Sequence, residues 1–524
     1  MPCLRRIPAV VLGLVLLAPA LLPASSAVVP LASITPGQPR DAFQVALDAL
    51  DNAGTARNPL LRTQRVAIEG ARMLLDALPK LHGDDLHRAA AWAKLAEQVQ
   101  YHSLDIPLEA TPVPHHATPS EAAEALVARH GGTMGTEGAR TLAQLDSLSP
   151  TLRGALTRTI DAFLGFEEAS DAAFAHPNIA KLDEAQGLAD RVTRGERLTT
   201  EEMQNAPRLD QLGARWGLIP PARDALLDAA VELHDALLAT PQQGLEAVAP
   251  VDVPGVAHID LTTSGNVYTK DYALLIDAGG NDIYLNNAGG GNGEVDYCTT
   301  GVARNVAAAL LDFGGNERFG DGRSCGANGG GAVAAGFLLH GGGTSTYTAG
   351  RLGVNGGGYE GAGFLVDAGG DGSYVSVGDA SIPQGGQGAN GGAEAGIGFL
   401  VDLSGDDEYR AAVAGVNGGS DIGAGMLVDG AGNDRYVADT GGVNGGGDLG
   451  QGFLIDLAGI NEFVAGGAGA NGGGNQIGTG LLVSADGDDT YSATGAGTNG
   501  GANYAAVGTL IDLGGDDSYM AGNG

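Results

Sequence analysis

The chain has 524 residues, 89 of them Gly, and its 28 Lys plus Arg against 62 Asp plus Glu leave a net charge of −34. That balance excludes nucleic acid or anionic lipid as partners held by charge, since both require a basic surface, and makes cations the expected partners. A hydrophobic share of 43% with only 17% charged residues excludes wholesale disorder.

In chain order, the first feature is a leader. Arg5 and Arg6 precede an apolar run from Ile7 to Leu22 and the small residues Ser25, Ser26 and Ala27. This pattern reads as a secretory signal peptide over residues 1–27, cleaved near Ala27, because the run is shorter than the ~20 residues that span a bilayer. The expected location is secreted, periplasmic or at the cell surface, with no membrane span after cleavage. Cys298 and Cys325 are then the two cysteines of the mature chain, and an oxidising compartment favours a bridge between them.

Residues 28–240 read as an all-α helical bundle of six to eight helices. Apolar residues recur at helical spacing over Leu60–Leu78, Ala89–Val99, Leu152–Leu164 and Leu226–Leu238. Thr118-Pro119-Ser120-Glu121 offers an N-cap, a Pro at the first helical position and a Glu three residues on, and Ser149-Pro150 repeats the first two parts. The histidines of this half are scattered, and the adjacent His115 and His116 read as a solvated loop between prolines. A linker over 241–256 separates this half from the rest.

Residues 257–524 repeat. Nine units align on centres Asp277, Asp312, His340, Asp367, Asp402, Asp429, Asp456, Ser484 and Asp512, with a period near 27 and two eight-residue insertions. Leu stands two residues before every centre, Gly three after it and an aromatic ring seven after it, from Tyr284 to Tyr519. About twelve residues before the centre comes an Asn followed by Gly, from Asn328 to Asn499. Strand, Gly-Asp corner, aromatic strand and Asn-Gly corner make a coil that closes and repeats, which is the pattern of a parallel β-solenoid of about nine 27-residue rungs. A helix is excluded, since each interior Gly would cost about 1 kcal/mol. At ~4.8 Å per stacked strand the rungs would make a rod roughly 43 Å long. Cys298 and Cys325 lie one period apart, so stacking would place their Cα atoms about 5 Å from each other, within disulfide range. The Asn column is expected to form a ladder of amides bonded to one another and to corner backbone. The central Asp column, before a Gly turn, is expected to cap that turn through its own side chain.

The corners after the centres read GGNDIY at 279–284, GDDEY at 405–409, GNDRY at 432–436, GDDTY at 487–491 and GDDSY at 515–519. These resemble the Gly-Asp calcium repeats of the repeats-in-toxin (RTX) family, whose pattern is GGxGxDxUx. The family's unit is nine residues, whereas here an Asp corner returns once in 27. The resemblance implies Ca²⁺ held by corner carboxylates and carbonyls of neighbouring coils. The candidate ligands are Asp282, Asp406, Asp407, Asp434, Asp488, Asp489, Asp516 and Asp517. Stacked acids repel by roughly 3–4 kcal/mol per pair at an effective dielectric of 20, and hard oxygen ligands in a flexible corner suit Ca²⁺. Corners Thr344-Ser345 and Ile460-Asn461 lack paired acids and are expected to hold no ion.

The function this supports is a calcium-stabilised structural or binding rod, adhesion-like and without catalysis, meeting a glycan or a cell-surface protein. The alternative is a polysaccharide-active lyase or hydrolase on a β-helix, which rests on fold analogy alone. Stacked corners supply carboxylate pairs by construction, so such pairs do not mark a hydrolase.

Overall fold

The computed structural model describes residues 9–14, 27–28, 42–54, 58–77, 80–133, 136–193, 196–293, 306–320, 325–350, 352–377, 387–412, 414–439 and 441–522. Among these, ten helices make up the first half from residue 42 on: α1 (Ala42–Ala53), α2 (Pro59–Ala77), α3 (Asp85–Ser103), α4 (Pro119–Arg129), α5 (Thr136–Leu145), α6 (Pro150–Phe174), α7 (Ile179–Thr193), α8 (Thr200–Asn205), α9 (Ile219–Leu238) and α10 (Gln242–Leu245). The expected caps form: Thr118 accepts from the Glu121 amide and Ser149 from that of Leu152, each with Pro at the start of its helix. His116 departs from the expected solvated loop, because its amide and its ring both bond the buried Asp161 of α6. No described helix is long and apolar enough to cross a membrane.

The second half is a parallel β-solenoid with three faces. The first face stacks ten parallel strands, from Ala257–Asp260 to Val507–Asp512, and the second stacks ten more, from Val267–Tyr268 to Ser518–Ala521. The third is a column of two-residue strands, Gly291–Asn292, Gly331–Ala332, Gly358–Tyr359 and Ala393–Glu394, continued by single bridges through Ser420, Gly447, Gly474 and Ala502. About seven coils carry the whole pattern, fewer than nine, because the stack opens on coils in which Ala288 takes the place of the corner Asn. Asn328, Asn355, Asn390, Asn417, Asn444, Asn471 and Asn499 all have φ between 47° and 52°, the left-handed region that Asn tolerates at a corner. Their amides form the expected ladder: each Nδ2 from Asn328 to Asn471 donates to the next Oδ1 at 2.8–3.0 Å.

Strand alternation divides the first face. The Leu two residues before each centre points inward and packs with the aromatic column. From Tyr268 to Tyr519 those rings stack with centroids 4.5–5.0 Å apart, the rung spacing itself. The residues on either side of that Leu, such as Phe364 and Val366 or Phe399 and Val401, point outward and are equally buried, because the helices lie on them. Phe166 of α6 meets Phe337 edge-on, and His234 of α9 stacks on Phe313. Gln64 of α2 donates to the Gly480 carbonyl and the Thr509 hydroxyl, and Gln100 of α3 to the carbonyls of Gly398 and Ala424. The helical half is thus a lateral cover sharing one core with the solenoid. The segment between them holds α10 and the strand Val251–Val253, which pairs antiparallel with Ala257–Asp260.

Most of the expected leader, residues 1–27, lies outside the described residues. Within it, the strand Ala9–Leu14 runs antiparallel along Val507–Asp512 at the last rung of the first face.

Candidate metal centre

Each repeat delivers three positions, acidic in many of the coils, to the same edge: the centre, an outer corner residue four later and an inner corner residue five later. The central Asp is buried and, except at Asp456, whose Oδ1 has no hydrogen-bond partner, bonded through both oxygens. Its Oδ1 accepts from the amide two residues on, as in Gly279 to Asp277, Gly314 to Asp312 and Gly369 to Asp367, so it is the turn cap expected. Its Oδ2 accepts phenol donors from the aromatic column: Tyr374 to Asp402 at 2.6 Å, Tyr409 to Asp429 at 2.7 Å and Tyr436 to Asp456 at 2.8 Å. A line of carboxylates and phenols therefore runs along the interior.

The outer and inner corner residues differ in kind. Asp406, Asp488 and Asp516 are outer residues and exposed. Asp406 accepts from the Asn433 amide of the next coil and Asp488 from that of Asp516, so this row links coils from outside. Asp282, Asp407, Asp434 and Asp489 are inner residues and buried at 1–3% exposure, while Asp517 is half-buried. Each uses Oδ1 to accept an amide of the preceding coil: Asn266 for Asp282, Gly372 for Asp407, Asp407 for Asp434, Asn461 for Asp489 and Asp489 for Asp517. Asp407 and Asp434 lie beside the Asp429 carboxylate, and Asp489 and Asp517 beside that of Asp512.

Three buried clusters result. Asp407, Asp434 and the centre Asp429 offer one oxygen each, all within 4.8 Å of one another, and Asp407 Oδ2 and Asp434 Oδ2 have no hydrogen-bond partner. Burial, then the neighbouring carboxylates, push Asp407 up to about 10 and Asp434 up to about 9; burial raises Asp429 to about 6 against the donors Tyr409 and Tyr436. Three such groups cannot all ionise there without a counter-charge. Asp489, Asp512 and Asp517 repeat the arrangement at the last two coils, but Asp489 Oδ2 accepts from Ser484 at 2.5 Å and Tyr491 at 3.1 Å. The third cluster joins Asp312, Glu317 and His340. Asp282, raised to about 7 by burial, lies beside this third cluster, with Asp312 and Glu317 acting on it.

Of the eight acids singled out in the sequence, the structure gathers Asp407 with Asp434 and Asp489 with Asp517, and turns Asp406, Asp488 and Asp516 outward. Sequence reasoning missed Asp429, Asp512, Asp312, Glu317 and His340 as members of these clusters. Cys325 is buried; Cys298 lies outside the described residues. No family model matches the chain, and neither a curated protein nor a solved structure is similar to it.

Proposed function

We propose that the chain is a secreted or cell-surface solenoid, structural or adhesion-like and without catalysis, whose interior holds Ca²⁺ between Asp407, Asp429 and Asp434. The observation that carries this reading is the pair of buried, unpartnered oxygens, Asp407 Oδ2 and Asp434 Oδ2, facing a third carboxylate. An all-oxygen donor set suits a hard cation, and a buried corner with little room for the several waters that Mg²⁺ keeps favours Ca²⁺. The corner resemblance to the RTX repeats points to the same ion. The leader at 1–27 and a Cys298–Cys325 bridge between adjacent coils belong to this reading, as does a glycan or cell-surface protein as the object bound.

Thermal unfolding of the full chain over a series of free Ca²⁺ concentrations tests it. Stability is expected to rise by about 2.7 kcal/mol at a hundredfold excess over Kd and to return to baseline with chelator. A midpoint indifferent to both Ca²⁺ and chelator removes calcium from the account and leaves a bare scaffold.

A further inference from the structure

Three corners occupy the same place in the repeat and solve the same problem with different chemistry. Between the coils centred on Asp402 and Asp429, the inner acid, the next centre and the next inner acid are Asp407, Asp429 and Asp434, and two oxygens are left bare. Between those centred on Ser484 and Asp512, the corresponding residues are Asp489, Asp512 and Asp517, and the Ser484 hydroxyl covers the bare oxygen. Between those centred on Asp312 and His340 they are Glu317, His340 and Ser345.

There a ring stands where the others have a carboxylate. His340 is fully buried; Nε2 pairs with Glu317, and Nδ1 lies 3.1 Å from Asp367 Oδ1. The remaining polar groups facing the cluster are Asp312, the Tyr284 hydroxyl that bonds it, Asp282, the Tyr347 hydroxyl, 3.0 Å from Nδ1, and Ser345, which bonds Glu317; Asp282 Oδ2 and Glu317 Oε1 have no hydrogen-bond partner. A neutral imidazole carries one N–H, and carboxylates at both nitrogens call for two. His340 also coincides with a departure at the inner corner: the coil that meets it carries Glu317, longer by one methylene, where every other acidic inner corner is Asp.

We propose that the His340 imidazolium is the resident cation of the Glu317 corner, standing where a bound metal ion would otherwise be needed, so that of these three corners only Asp407–Asp429–Asp434 takes an ion from solvent. The part concerning the ion rests on the calcium reading; the charge on His340 does not. Burial works against that charge, but Asp367, Glu317 and Asp312 hold the ring's pKa well above the ordinary value.

Two measurements on the full chain test this. Selective ¹⁵N labelling of the ten histidines, with His340→Gln to assign the resonance, is expected to show a doubly protonated ring at pH 8. A singly protonated ring overturns the assignment, and this readout needs no folded variant other than the one used for assignment. Equilibrium dialysis against ⁴⁵Ca²⁺ is expected to give one ion per wild-type chain and two for His340→Asp. One ion in a folded His340→Asp chain overturns the substitution of ring for metal. No ion in the wild type together with a charged ring rejects calcium and leaves His340 as the internal cation.

Discussion

Arg223→Ala is expected to lower the stability of the chain by about 3–5 kcal/mol, read as a fall in the urea midpoint at unchanged slope. Arg223 of α9 is 4% exposed, pairs with the buried Glu97 of α3, and lies 3.7 Å above the Phe364 ring of the first face. Burial lowers its pKa to about 9, so the guanidinium stays charged at neutral pH. Removing it strands the Glu97 carboxylate in the joint core of helices and solenoid and takes the cation from the ring face. Replacing both partners, Glu97→Leu with Arg223→Met, is expected to recover most of the loss, because two apolar side chains of similar volume need no counter-charge. A double variant as unstable as Arg223→Ala would mean that the cost lies in packing and not in the stranded charge.

In chelator, stability is expected to fall as pH rises from about 5 to 9. Asp407, Asp434 and Asp429 titrate in the folded chain at about 10, 9 and 6, all above an unfolded carboxylate. The folded state therefore holds protons that the unfolded state has released. Their contribution is complete below the ordinary carboxylate range and is lost progressively as pH climbs through the folded values. His340, also raised, acts in the same direction, its share lost above pH 6.5 toward its folded value. Under the proposed calcium reading the ion takes the place of the protons at Asp407 and Asp434, so saturating Ca²⁺ should flatten the slope, and its stabilising effect should grow with pH. Asp434→Asn, which keeps an acceptor for the Asp407 amide but cannot ionise, should flatten the slope in chelator and weaken the response to calcium. Thermal midpoints across pH with and without chelator measure all three; a pH-independent midpoint in chelator would contradict charged crowding at the corner.

Much of this was legible in the residues. The Leu and aromatic columns set the register, and the Asn corner and the turn-capping central Asp follow from local chemistry that stacking only repeats. The division of each corner between an inner and an outer residue is carried by the sequence too. Asp407 stands two residues before Tyr409, and Asp434 two before Tyr436, so strand alternation puts each beside the inward ring and turns Asp406 the other way. The helical cover had its own signal. Phe399 and Val401 flank the inward Leu400 on the opposite side, and a strand apolar on both sides belongs to a sheet covered on both. What no local pattern could give is the convergence at His340, whose partners Glu317 and Asp367 lie one coil away on either side and meet it only through stacking.

The most direct test is to locate the ion. Crystals grown in Ca²⁺, or soaked in Tb³⁺ as its stand-in, are expected to show one interior anomalous peak within coordination distance of Asp407, Asp429 and Asp434. Peaks confined to the exposed row of Asp406, Asp488 and Asp516, or an interior with no peak, would contradict a cation held inside the coil.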